Sequence, residues 1–129
     1  MFYMRRVPWP AIAALAFSCI PLRAMDVKTY REWLKKGGDE LKRSAVDSYV
    51  SGVGNGISWA NAQLGTLRRE KLYCAPVKLA LGLASYKDIL DRQIAEQAKR
   101  RTDDELGKLD IELLLMNGLI ETFPCPHEK

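Results

Sequence analysis

The 129-residue chain predicts an all-α domain of four to five helices, closed by one disulfide and preceded by a signal peptide. Three observations carry the fold class. Beyond position 25, apolar residues recur three and four apart, the period of one helix face. No stretch of five or six residues alternates apolar and polar between turn residues, as a half-buried strand would. Finally, 47% hydrophobic and 28% charged residues suit one compact domain with its own core, and the length leaves no room for a second.

The first 24 residues stand apart. MFYMRRVPWPAIAALAFSCIPLRA carries Arg5, Arg6 and Arg23, no acid, and an apolar stretch from Val7 to Ile20 after the arginine pair, which is the layout of a secretory signal peptide. Pro8 and Pro10 interrupt that stretch, and it is shorter than the roughly 20 apolar residues a bilayer span takes. Export is therefore expected rather than a stable membrane span, with the periplasm as destination. A buried core helix is disfavoured by prolines at 8, 10 and 21. Translation starts at Met1 or at Met4, which heads a cleaner MRR.

Two cleavage points compete. A cut after Ala24 has a small residue before it but Leu22 three positions back. A cut after Ser18 fits small-x-small better through Ala16 and would leave Cys19 first, as in a lipoprotein, although Ala16 stands where leucine is usual. Lipidation is the minority reading. Cleavage after Ala24 removes three arginines and no acid, lowering the net charge from +4 to +1. A nucleic-acid partner then loses its support, because the remaining basic clusters, Arg68-Arg69-Glu70-Lys71 and Lys99-Arg100-Arg101, are short and interleaved with acids.

The helices follow in order. Asp26 caps a short one running through Val27, Tyr30, Trp33 and Leu34 to Gly37-Gly38. A long second helix spans Asp39 to about Leu64, with Val46, Val50, Val53, Ile57, Ala60 and Leu64 as one stripe. It contains GVGNG at 52–56, which lacks the strand that precedes a nucleotide-binding loop. Each interior glycine costs about 1 kcal/mol of helix propensity, so close approach of a neighbouring helix over Gly52 and Gly56 is expected. The basic linker TLRREK and the bend LYCAP come next, where the residue before Pro76 is pushed toward extended geometry and the Cys74 thiol sits at the bend. A short helical turn is expected over Val77 to Leu83, then a helix opening at Ser85-Tyr86-Lys87-Asp88 and running through Ile89, Leu90 and Ile94 to Arg101. Thr102 to Glu105 punctuates. A last helix passes through Leu109, Ile111, Leu114, Leu115, Leu119 and Phe123 until Pro124 stops it.

Loss or acylation of Cys19 leaves Cys74 and Cys125, which in an oxidising compartment make one bridge rather than two buried thiols. Chemistry is scarce elsewhere. The one histidine, His127, lies in a tail beyond the last helix, a poor platform for a catalytic dyad or triad. Metal binding would rest on carboxylates alone, and Asp103, Asp104 and Glu105 lack a calcium-loop pattern and read as a capping cluster. Paired carboxylates for glycoside cleavage depend on the fold, and nothing marks a pair. A small exported domain of this kind is expected to work by binding, with no catalytic residue, metal or cofactor, as an inhibitor, a holdase-like chaperone or a structural subunit. Two connections suit a partner: Arg68, Arg69, Lys71 and Tyr73, basic with an aromatic, and Asp103, Asp104 and Glu105 between two helices.

Three stretches in order also carry a resemblance: YVSGVGNGISWANA from Tyr49, LYCAP from Leu72, and ELLLMNGLIETFPC from Glu112. They resemble the Rap/Tai family of type VI secretion immunity proteins, with Tyr49 and Gly52 on its Tyr-x-x-Gly helix, Cys74 and Pro76 on its Cys-x-Pro bend, and Phe123, Pro124 and Cys125 on its closing Phe-Pro-Cys. The resemblance implies a small periplasmic helical domain that blocks the groove of a secreted peptidoglycan amidase effector, in some cases as a homodimer. The alternative is a periplasmic helical protein of unrelated role, chaperone-like or envelope-maintaining.

Overall fold

The computed structural model describes residues 24–126. The expected signal peptide, apart from Ala24, lies outside the described residues, as do Cys19 and His127. Five helices make up the described chain, with no strand among its residues: α1 Val27–Trp33, α2 Glu40–Thr66, α3 Leu83–Ala98, α4 Asp103–Gly107 and α5 Ile111–Thr122.

Local chemistry starts the first two helices where the sequence places them. The Asp26 carboxylate accepts from the Thr29 backbone N–H at 2.7 Å, and Asp39 accepts from that of Leu41 at 2.9 Å, each satisfying a donor that the helix itself leaves open. Between them the chain reverses at Gly37, whose φ of +78° is the left-handed region glycine enters without steric cost. The start of α1 is also tied to the start of α5: Val27 N–H donates to Leu109 at 2.9 Å and Ile111 N–H to Met25 at 3.0 Å.

All five helices contribute to one core, α4 through Leu106. Val27 and Tyr30 of α1, Val46 and Val50 of α2, Tyr86, Ile89, Leu90 and Ile94 of α3, and Leu114, Leu115 and Leu119 of α5 are buried together. Tyr30 donates to Asp91 Oδ1 at 2.9 Å, and burial followed by that bond holds its hydroxyl protonated well above the usual tyrosine range. The α3–α5 pair packs over the most residues, and α5 brings Gly118 against Ile89 and Gln93; a Cβ there would lie 2.5 Å from Ile89 Cγ2.

Three expectations are corrected. Gly52 and Gly56 do not face a helix: a Cβ on either would meet nothing within 4 Å. The glycine that packs is Gly54, where a Cβ would come within 2.3 Å of the Tyr86 ring. Second, α3 opens at Leu83 after Gly82 with no side-chain cap, two residues before the expected Ser85 start, and 77–83 holds only a tight turn closed by Leu79 N–H on Pro76. Third, Asp103, Asp104 and Glu105 are not a connecting loop but the first turn of α4. The Thr102–Glu105 capping box seeds that turn, and Leu106, fully buried against the core, holds it in place.

Candidate partner-binding surface

The second half of α2 sets up the region. Its inward face drifts from the valines onto polar residues, so that Gly54, Ser58 and Asn61 point to the protein rather than Val53, Ile57 and Ala60 alone. Asn61 is buried because the returning chain needs it. Its Oδ1 accepts from Leu72 N–H at 2.8 Å and Tyr73 N–H at 3.3 Å, and its Nδ2 donates to Tyr73 O at 2.9 Å. An extended segment with no strand beside it thereby satisfies its backbone groups. Asn61→Ala is expected to cost about 1–2 kcal/mol, since Tyr73's backbone is left buried without partners; urea unfolding checks it, and a neutral change would show that water replaces the amide.

Tyr73, only 3% exposed, is buried beneath this segment. Its hydroxyl meets Ser58 Oγ at 2.9 Å, and Ser58 also meets the Tyr86 hydroxyl at 2.9 Å. Its ring stands 6.4 Å from that of Phe123. The expectation that Tyr73 faces a partner is therefore corrected: the aromatic fills the interior, where the Ser58 hydroxyl and the Phe123 ring receive it. One residue on, Cys74 is joined to Cys125 as expected from the cysteine count, and its N–H donates to Phe123 O at 2.8 Å. The Phe-Pro-Cys end and the Cys-x-Pro bend are thus one clasp.

The connection out of α2 is tightly set. Arg69 N–H reaches back to Leu64 O at 2.8 Å and Arg68 N–H to Gly65 O at 3.1 Å, the two bonds of a helix end whose outermost residue is normally glycine. Here that residue is Arg68, with φ +53°. A side chain in left-handed geometry costs roughly 1–2 kcal/mol.

Two open hollows flank the clasp and share Lys71 and Cys74. One is lined by Asn55, Trp59, Ala62, Pro76 and Leu79, the other by Arg68, Arg69, Glu70, Leu72 and Pro126. Around them lies exposed apolar surface: Trp59 is 77% exposed, Leu67 60%, Val77 fully and Leu79 45%. Sequence reasoning named Arg68, Arg69 and Lys71 but missed these four. The signal for Trp59 was present, since it stands off the apolar stripe of its own helix.

The acidic group is placed elsewhere: Asp103 and Asp104 line a third hollow between α1 and α4 with Lys28, Arg31 and Lys35, which shares no lining residue with the clasp. Two of the three charges are engaged locally. Glu105 accepts from the Thr102 N–H at 3.0 Å, which with the Thr102 hydroxyl holds its carboxyl below the usual range, and Asp104 pairs with Lys108. Of the remaining motif residues, Tyr49 is half-buried and donates to Glu112, Gly52 is exposed, and Pro76 and Pro124 are exposed beside the bridge. Among the described residues no group of three or more His, Cys, Asp or Glu is placed to hold a metal ion, and no helix is long and apolar enough to cross a membrane. Comparison with known protein families, with characterised proteins and with solved structures returns no match.

Proposed function

We propose that this chain is an exported binding protein whose partner docks on the surface around the Cys74–Cys125 clasp, and that the partner is a cell-wall amidase effector of a type VI secretion system, inhibited without turnover. The observation that carries the reading is Trp59, exposed beside Leu79 and next to the Arg68–Lys71 segment. Tryptophan and arginine are the side chains that most often dominate protein interfaces, and a large apolar ring in solvent is a standing cost that a partner relieves. Arg68 supports the same surface: backbone strain gathers where a side chain is needed for something other than stability. The disulfide and the Asn61 bracket hold the segment in one shape, which lowers the ordering cost of binding. The choice of an amidase effector, and of a homodimer as a possible resting state, rests on the Rap/Tai resemblance of Tyr49, Gly52, Cys74, Pro76, Phe123, Pro124 and Cys125.

The test expresses the full chain in cells that also export the amidase candidate encoded beside it. Protection should disappear when the leader is deleted, and purified partners should form a stoichiometric complex that stops cell-wall hydrolysis. Trp59→Ala with Arg69→Ala should weaken that complex by about 2 kcal/mol or more, roughly 30-fold in Kd, while stability changes by no more than about 0.5 kcal/mol because both side chains are exposed. Cell-wall hydrolysis by the chain itself, or no complex with an amidase, would sink the reading. The alternative of a chaperone-like envelope factor draws on the same exposed Trp59, Val77 and Leu79. It predicts indiscriminate capture of unfolded chains in place of one stoichiometric partner.

A further inference from the structure

The Met25 backbone nitrogen faces more acceptors than a single amide hydrogen can serve. Two acceptors face it: the Tyr49 hydroxyl of α2 at 3.1 Å and Glu112 Oε1 of α5 at 3.2 Å. Tyr49 in turn donates its own hydrogen to the same Oε1. The second carboxylate oxygen, Glu112 Oε2, is buried with no hydrogen-bond partner, the only such side-chain atom among the described residues. No ion pair among the described residues reaches Glu112 either. A partly buried carboxylate with an orphaned oxygen and no cation is costly as it stands. Among the described residues Met25 is also the first anchored on both sides of its backbone, since its carbonyl accepts from Ile111 N–H at 3.0 Å, whereas Ala24 is exposed.

We propose that the chain is cut between Ala24 and Met25, and that the new α-ammonium of Met25 is held by Glu112 and Tyr49 as the first ionic contact of the mature domain. The step is hydrolysis by an export-linked peptidase that cuts after a small residue. Water adds to the Ala24 carbonyl carbon, the C–N bond breaks, the hydroxyl stays on Ala24 as a carboxylic acid, and the nitrogen keeps its hydrogen and takes one from water. The acid proton then moves to the amine, leaving carboxylate and ammonium. The same nitrogen now carries three hydrogens where two acceptors already face it, the Tyr49 hydroxyl and Glu112 Oε1, and it brings a positive charge to the carboxylate whose Oε2 has no partner. This chemistry selects the cut after Ala24 over the cut after Ser18, which would leave an uncharged amide at Met25. The inference needs export but not the partner surface, so the two proposals fail separately.

The full chain from Met1, produced in a bacterium and recovered from its exported fraction, is analysed by intact mass and by mapping of its first peptide. A start at Met25 is expected; a start at Cys19, any other start, or an uncut chain overturns the proposal. The folded protein is then trace-labelled on its α-amine with an acid anhydride at neutral pH. Only the uncharged amine reacts, and an adjacent carboxylate that raises the amine's pKa by one unit slows labelling about tenfold. At least that protection is expected relative to the same chain in denaturing urea, with lysine labelling as internal control. Glu112→Gln should abolish the protection, and Tyr49→Phe should reduce it while keeping the carboxylate. Equal rates in folded and unfolded wild-type chain overturn the ammonium contact whether or not the Glu112 variant folds.

Discussion

Replacing Cys74 and Cys125 together with alanine is expected to cost about 4 kcal/mol, the loop-closure entropy of a bridge between residues 51 apart on the chain-entropy model. That is a large share of the total stability of a domain this size, which typically lies near 5–15 kcal/mol. The other contacts between the two joined ends are few, the Cys74 N–H to Phe123 O bond and the Tyr73–Phe123 ring contact. Without the bridge these alone hold the chain end, while Asn61 and Ser58 bracket Leu72 and Tyr73, so the Arg68–Lys71 segment should loosen before the α3–α5 core does. Urea midpoints of the two forms check the size of the effect, and amide hydrogen exchange checks its location, with Tyr73 and Cys74 expected to lose protection first. A midpoint shift equivalent to less than about 1 kcal/mol would mean that the reduced, unfolded chain is already held compact.

Gly54→Ala is expected to cost about 3 kcal/mol net, although alanine is the better helix former by about 1 kcal/mol. The added Cβ would lie 2.3, 2.4 and 2.6 Å from three atoms of the Tyr86 ring, closer than real carbon atoms approach. The ring cannot step aside. It is 1% exposed, and its hydroxyl is held by Ser58 at 2.9 Å, which in turn is held by Tyr73. The same substitution at Gly52 or Gly56, two residues to either side, meets open space and should stabilise by up to about 1 kcal/mol each. Three single variants on one helix therefore give opposite signs, and thermal or urea unfolding reads them directly. Equal effects at all three positions would show that α2 sits differently on α3.

Much of the candidate surface was legible. Arg68, Arg69 and Lys71 stand in a break between helical patterns and next to Cys74, whose one partner is Cys125 once Cys19 is set aside with the expected leader, so their exposure and tethering follow from pattern and count. Trp59, Leu67, Val77 and Leu79 were not read, because an apolar residue outside a stripe can be buried by a segment that is distant in sequence, and only the path of 67–82 leaves these four uncovered.

The division is the same for the fold. The sequence by itself determined that α1 and α2 begin at Asp26 and Asp39, that Val46 and Val50 face inward, that α5 ends before Pro124, and that Cys74 pairs with Cys125. Each of these depends on residues within a few positions of one another, or, for the bridge, on setting Cys19 aside with the expected leader so that two of the three cysteines are left to pair. Only the tertiary structure decided that Gly54 and not Gly52 or Gly56 meets Tyr86, that Ser58 and Asn61 lie inward while Ala60 is exposed, that Tyr73 turns into the core, and that Thr102 to Gly107 forms a helix of its own. The physical reason is twofold. A repeat of three and four drifts around a helix turning every 3.6 residues, so over 27 residues the pattern leaves the buried face uncertain by about one position. And a polar residue is buried where remote groups complete its hydrogen bonds, as Tyr73 and Tyr86 do for Ser58 and the 72–73 backbone does for Asn61, partners that no local pattern contains.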